Sequence, residues 1–596
     1  MLNLKPKRYT IWNAPLLIFQ MVPVAALMQL LMKVFLGLQP TLLLLASAKF
    51  IDTSLAVAGG TAASSQIVLP IAAVVALMLL PILLNSLSTW LLLRSDQRRT
   101  LQVNLATFDK ISRLHYRLIE DQETADLTNR VVNAVSRNLW QTYTSMLDAM
   151  SILLNVGGIL LVLARQIWWA ALCMLVLAVP LFWVAYKSGE SSYRESRRNE
   201  KIYRRLWALS DSLTGRGAVE ERTLFHFTPQ VDQMWLDAAD KAYSSELRES
   251  MHWWLRSQMG TVFTILVGGA MAAFLLRPTI QGAVTVGMFV SLSGACFNLS
   301  NALSWRLCGT ISRFSELRAF YQDLTKFASL EEISGGDDDV AADLPDFESL
   351  EFRDVSFTYP GTEKTILSHV SFRLNRGGHY AIVGANGAGK TTITKLISGL
   401  YDNYEGEIFL NGQELRTIPY GVRKGLISTV AQDFTRYQLT LADNIRLGDL
   451  SMAGDDPRIK EAAQKAGLSD VIARLPLGLD NPLGKLEETS QDLSGGEWQR
   501  VAMARTIASR AAFYILDEPT AALDPLAESR LYDEFAGISE GKTTIFISHR
   551  LGSTRLADQV IVLDRGTVAE CGSPDALLHA GGLYAEMFDA QRSWYI

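Results

Sequence analysis

His379–Thr392 reads HYAIVGANGAGKTT, and Ala511–Asp524 reads AAFYILDEPTAALD. In the first stretch an apolar run suited to a buried strand leads into G-x-x-x-x-G-K-T and then into a helical pattern. Gly384, Gly387 and Gly389, with Ala385, Asn386 and Ala388 between them, let the backbone curl so that its N–H groups face phosphate oxygens. The N-terminus of the following helix adds its positive dipole. Lys390 is expected to reach the β- and γ-phosphates and Thr391 to ligate Mg²⁺, with Thr392 beside it on the same helix. In the second stretch Phe513–Leu516 is a continuous apolar run, the pattern of a strand buried on both faces of a parallel sheet. Such sheets bind ligands beyond the carboxyl ends of their strands. Asp517 is placed there to hold Mg²⁺, and Glu518 to orient or deprotonate an attacking water. The two stretches predict an α/β P-loop ATPase domain that uses ATP and Mg²⁺.

That domain occupies only part of the 596 residues. Mean hydropathy is positive, at +0.14, and only 20% of residues are charged. Both values point to a large lipid-facing fraction. The net charge of −5 gives no basic field, which excludes nucleic acid as the main partner. Cys173, Cys296, Cys308 and Cys571 are scattered without CxxC spacing and read as small buried hydrophobes. Lys5, Lys7 and Arg8 precede an apolar stretch too long for a signal peptide, which reads as a retained first span.

Apolar runs long enough to cross about 30 Å of hydrocarbon fall near Pro15–Ala48, Ile67–Leu93, Met150–Ala164, Ile167–Tyr186, Met259–Leu276 and Val286–Leu303. The third and fourth are separated by Arg165 and Gln166 alone and form a tight hairpin. Long polar segments of helical pattern follow the second and fourth spans. Arg94, Arg98 and Arg99 follow the second span, and Lys187, Arg194, Arg197 and Arg198 follow the fourth. This excess of positive charge places the extensions, both termini and the ATPase domain in the cytoplasm, with the chain crossing the inner (cytoplasmic) membrane several times. The span interiors carry no Asp or Glu, and Lys33 is the one ionisable side chain deep in a span. It either snorkels or plays a structural part, or it faces a central cavity, where it would favour anionic cargo.

LSGGEWQR at Leu493–Arg500, ahead of ILDEPTAALD, resembles the signature loop of ATP-binding cassette (ABC) proteins. The resemblance extends over essentially the whole chain and is closest to exporters of the half-transporter kind, among them bacterial exporters of lantibiotics and other modified peptides. It implies that Tyr359 in FTYP stacks on adenine and that Gln432 in AQDF senses Mg²⁺ and contacts the membrane domain. It further implies that His549 in ISHR contacts the γ-phosphate, and that Asp524 in AALD lies in the loop joining two ATPase domains. Ser494, Gly495 and Gly496 would act on ATP held by an opposite subunit. Segments Arg117–Val131 and Leu213–Phe225 resemble the family's coupling helices. LGKLEETSQD, before the signature, departs from the family pattern, and no role is assigned there. No peptidase segment precedes the first span, so trimming of cargo is not expected.

The expected architecture is a membrane α-helical domain of six transmembrane helices with long cytoplasmic extensions, residues 1–328, joined by an acidic linker, 329–347, to the nucleotide-binding domain, 348–596. With one ATPase domain per chain, a second copy is needed. Intact site residues favour a homodimer in membrane lipid, a heterodimer being the alternative. The expected activity is ATP-driven export of a substrate by alternating access, with a ribosomally made modified peptide as cargo. A lipid or hydrophobic-drug exporter is the alternative, and an ATP-gated regulator without transport is the alternative of another class.

Overall fold

The computed structural model describes residues 4–301, 306–336, 340–341, 343–486, 488–518, 541–547 and 551–592. Backbone contacts divide the chain into two compact units, one of residues 1–111 and 126–330, the other of residues 112–125 and 331–596.

The first unit is helical. Its long elements are Pro23–Ala58, Val68–Ser112, Val135–Gln166, Trp168–Thr214 and Thr228–Ile280, followed by Val286–Asn301 and Leu307–Ala328. Val68–Ser112 has 45 residues, roughly 68 Å of helix at 1.5 Å per residue. That is about twice the hydrocarbon thickness, so an apolar span and its polar extension are one unbroken helix. Among the described residues, Pro23–Ala58, Ser64–Ser112 and Val135–Gln166 are long and apolar enough to cross a membrane.

One expectation for this unit is corrected. The first span does not run from Pro15. Helix Ala14–Met21 ends at Val22 (φ −139°, ψ 65°), because a proline at position 23 disfavours helical backbone in the residue before it. Leu17, Ile18 and Met21 then pack in a core with Val103, Leu139, Tyr143 and Leu317. Lys33, read as either structural or cavity-facing, pairs with Asp148, Nζ to Oδ1 at 2.5 Å. The third long helix starts at Val135 rather than near Met150, so its polar first turns bring a carboxylate to the level of Lys33. The fit between these helices is close. A Cβ added at Gly37 would lie 2.9 Å from the Ser151 carbonyl oxygen, the small-residue contact that lets membrane helices approach.

In the second unit, residues 112–125 contribute helix Tyr116–Glu120, and the rest forms two sheets. The strands are β1 Ser349–Thr358, β2 Thr365–Asn375, β3 His379–Gly384, β4 Glu405–Leu410, β5 Gln413–Glu414, β6 Ile427–Val430, β7 Phe513–Asp517, β8 Thr543–Ile547, β9 Gln559–Asp564 and β10 Thr567–Gly572. The antiparallel sheet has the order β2-β1-β4-β5, and the six-stranded sheet β10-β9-β3-β8-β7-β6. In the latter, neighbours from β9 to β6 run parallel. Alternate residues enter opposite cores: Val383, Leu516, Phe546 and Val562 on one face, Ile382, Ile515, Ile545 and Ile561 on the other. The pattern is the two-sided burial expected for Phe513–Leu516.

The stretch read as a solvated linker is anchored to this unit. Phe347 stacks on Phe513 at 4.9 Å, Leu344 packs on the core, and Glu331 and Glu332 pair with Arg117 and Arg113. Apolar residues within an acidic run supply the anchor. Of the cysteines read as buried, Cys296 is buried and Cys571 is exposed, because it lies on the edge strand β10.

Lys33→Met or Asp148→Asn should each destabilise the membrane domain, by up to about 3 kcal/mol, because either leaves a half-buried charge unpaired. The double variant Lys33→Met/Asp148→Leu should recover most of the loss. Thermal unfolding in lipid nanodiscs measures this, and additive losses in the double variant would mean that the two side chains act separately.

Candidate nucleotide site

Four strands of the parallel sheet deliver the site. Gly384 ends β3, Val430 ends β6 two residues before Gln432, Asp517 ends β7, and Ile547 ends β8. Parallel register puts these ends on one edge. From β3 the chain turns through Gly387 (φ 80°) and Gly389 (φ 104°) into helix Lys390–Ile397. A side chain at Gly389 would be strained by its φ and would meet Leu367 Cδ2 at 2.5 Å.

Lys390 is buried and donates to the carbonyl oxygens of Gly384 at 2.8 Å and Ala385 at 3.1 Å. The loop thus holds its own lysine in place. Burial lowers the pKa of the ammonium, and the charges of Glu518 and Asp517 oppose that shift. Asp517, 3% exposed, is pushed up to about 6 by burial and then by the neighbouring Glu518 charge. Its Oδ1 is buried with no hydrogen-bond partner among the described residues, which costs free energy unless a cation arrives. This orphan oxygen, with the Thr391 hydroxyl and the Gln432 amide, is a hard oxygen donor set that fits Mg²⁺. Among the described residues no three His, Cys, Asp or Glu side chains converge on a metal position. The ion would therefore take its other ligands from phosphate and water. Bound there, it would neutralise phosphate charge.

Glu518 has φ +52°, a conformation disfavoured for a residue with a Cβ. Its N–H donates to Ile547 O at 3.0 Å, its carbonyl accepts from Gln499 Nε2 at 3.1 Å, and its carboxylate accepts from Gln432 Nε2 at 3.1 Å. Backbone strain held by surrounding bonds marks a side chain that must point one way. Gln499 was not identified from the sequence. It is 3% exposed and lies one turn into helix Gly495–Ala508. Its place within LSGGEWQR was the available signal.

Ser494 caps that helix. Its hydroxyl accepts from the Glu497 N–H at 3.3 Å, while Glu497 accepts the Ser494 N–H at 2.8 Å. This reciprocal pair leaves Gly495 and Gly496 in the first helical turn, a small, positive surface suited to phosphate. Tyr359 sits on the other side chain group of the phosphate-loop helix, its hydroxyl 3.0 Å from Thr392 Oγ1. His549 and Asp524 lie outside the described residues. The structure therefore brings Lys390, Asp517, Glu518 and Gln432 together and links Tyr359 to Thr392, whereas Ser494, Gly495 and Gly496 stand on a separate helix.

The sequence pattern of the ABC transporter family matches residues 367–521. The chain is 27% identical over 492 residues to the subtilin transport ATP-binding protein SpaT of Bacillus subtilis, covering 82% of this chain and 80% of that protein. It is 34% identical over 318 residues to the nisin transport ATP-binding protein NisT of Lactococcus lactis subsp. lactis, about half of each chain at 52%. It is 28% identical over 482 residues to the ATP-dependent lipid A-core flippase of Pseudomonas fluorescens (strain Pf0-1), covering 77% and 76%. The solved structure of a bacterial Atm1-family ABC exporter with ATP bound shares the fold at a TM-score of 0.82 and 24% identity, over 96% of this chain and 99% of that one. Residues 367–521 thus carry an ABC transporter domain, and the chain as a whole shares the fold of an ABC exporter, a helical membrane unit joined to a P-loop ATPase unit.

Proposed function

We propose that two copies of this chain form a homodimer in the inner membrane that hydrolyses ATP to export a modified peptide. One observation carries the ATPase reading: an orphaned carboxylate oxygen on Asp517, a strained Glu518 and a self-held Lys390 share one strand edge. In this reading Tyr359 stacks on adenine, and the amides of residues 384–389 with Lys390 bind the phosphates. Thr391, Gln432 and Asp517 hold Mg²⁺. Glu518, fixed by Gln432 and Gln499, takes a proton from the attacking water, and His549 contacts the γ-phosphate. Ser494, Gly495 and Gly496 meet the ATP of the partner subunit, with Asp524 between the two domains, so a monomer holds no complete site. ATP favours the closed dimer and hydrolysis releases it, by differential affinity for the two states.

The peptide reading draws on the named cargo of the subtilin and nisin relatives. A cavity of about 500 Å³ in the membrane unit supports it, lined in part by Gln39, Asn155, Ser291, Asn298 and Arg306. Its Gln39, Asn298 and Arg306 side chains offer hydrogen bonds to a peptide's amides and carbonyls. Lipid export is the second reading, favoured by the flippase relatives and by an apolar cavity of about 310 Å³ bordered by Met28, Phe35, Leu84 and Leu91.

Glu518→Gln should cut steady-state ATP hydrolysis at least about a hundredfold while nucleotide stays bound, since shape is kept and the base is lost. Near-normal turnover, measured beside nucleotide occupancy, would remove Glu518 from the chemistry. In a mixed dimer, Ser494→Arg on one subunit should disable the site whose phosphate loop belongs to the other. Full hydrolysis by a purified monomer would end the shared-site mechanism. In inside-out vesicles, ATP should drive uptake of a labelled lantibiotic-type precursor but not of labelled phospholipid. Lipid movement alone would support the second reading, and ATP turnover with neither would point to a regulator.

A further inference from the structure

Helix Tyr116–Glu120 belongs to the loop between the second and third long helices, yet it is part of the ATPase unit. Its last residue enters a cluster that the nucleotide chemistry above does not use. Glu120 Oε1 accepts from Lys395 Nζ at 2.7 Å and from the Tyr116 hydroxyl at 2.9 Å. Glu120 Oε2 accepts from the Tyr401 hydroxyl. Lys395 lies on the phosphate-loop helix, five positions after Lys390. Its ammonium sits 5.4 Å, 5.5 Å and 5.9 Å from the ring centres of Tyr116, Tyr359 and Tyr401. Tyr401 is buried and meets Tyr359 edge to face at 5.4 Å. Burial works against the Glu120 charge, but the bonds from Lys395, Tyr401 and Tyr116 outweigh it and hold the carboxyl below its usual range.

The consequence follows from what the ammonium would do alone. A lysine within about 6 Å of an aromatic face is attracted to it, by about 0.5–2 kcal/mol. Tyr359 is the ring on which the base is read to stack, and Lys395 already lies within that range of it; freed from Glu120, the ammonium could move over the face that the base takes. Glu120 restrains it, and through the Tyr401 hydroxyl it also fixes the ring that supports Tyr359. We propose that Glu120 is a positioning residue for the nucleotide base, tethering Lys395 so that it does not move over the Tyr359 face the base takes, and locking Tyr401 behind it. The proposal rests on Tyr359 being the base platform. It makes a loop helix between two long helices sensitive to whether the base is bound.

The test uses the full-length chain in nanodiscs and measures dissociation constants for ADP and for inorganic pyrophosphate, which lacks a base. It also measures KM and kcat for ATP. Glu120→Gln should weaken ADP about three- to tenfold and leave pyrophosphate unaltered, its effect on turnover falling on KM rather than kcat. Adding Lys395→Met to Glu120→Gln should restore ADP affinity, because the competing cation is gone. A purely structural role predicts a double variant at least as weak as the single one. The proposal fails if Glu120→Gln leaves ADP binding intact, if pyrophosphate binding falls in step, or if the double variant is not rescued. Tyr359→Ala separates the two readings. Loss of ADP affinity there, with none in Glu120→Gln, sinks the positioning role alone, whereas intact ADP affinity in Tyr359→Ala sinks the base platform and with it the proposal.

Discussion

Parallel register in the six-stranded sheet, enforced by burial on both faces, is the constraint on which the site depends. A slip of one residue in β7 would exchange Ile515 and Leu516 between cores and move every apolar side chain to the wrong face. Because slippage is that costly, the ends of β3, β6, β7 and β8 are fixed against one another. The free energy of two cores therefore holds in place groups that are individually unfavourable: an orphaned Asp517 oxygen, a Glu518 at positive φ and a half-desolvated lysine. Such groups persist only where the surrounding structure over-determines them.

The membrane unit is organised by a different rule. Its outward apolar surface, with Leu83 and Leu161 more than three-fifths exposed, is satisfied by lipid rather than by packing. Specificity among helices then falls to close contacts and to scarce polar pairs such as Lys33 with Asp148. The Gly287 amide, capped by Asp52 Oδ1 at 2.7 Å, is another such pair.

What the sequence made legible follows from interaction range. The phosphate loop, the β7 strand and the Ser494 cap are local devices, each written within a few consecutive residues, and each lies in the expected element. Lys33 and Asp148 are 115 residues apart, and Lys395 and Glu120 are 275 apart. No periodicity or spacing encodes a partner at that distance, so neither the Asp148 partner of Lys33 nor the part of Glu120 was legible. The linker shows the same limit, since its acidic composition gave no sign that Leu344 packs on a core and that Phe347 is buried against β7, contacts decided by the sheet they reach.

The same difference in range bears on cargo. ATP presents one fixed pattern of charge, so the ATPase domain must retain a fixed set of donors, and relatives named for peptide transport and for lipid flipping both align with it. The membrane domain faces two requirements, to be apolar outside and to interact with cargo inside, and the first dominates its composition. Identity there rests on a few cavity residues, chiefly Gln39, Asn155, Ser291, Asn298 and Arg306. Four are uncharged hydrogen-bonding groups and one is a cation, but most of the lining is apolar, with Leu43, Leu44, Ile51, Ile159 and Val290 among it. A mixed lining of this kind matches an amphipathic ligand, so selection of cargo falls to the placement of those few polar groups rather than to the composition of the cavity.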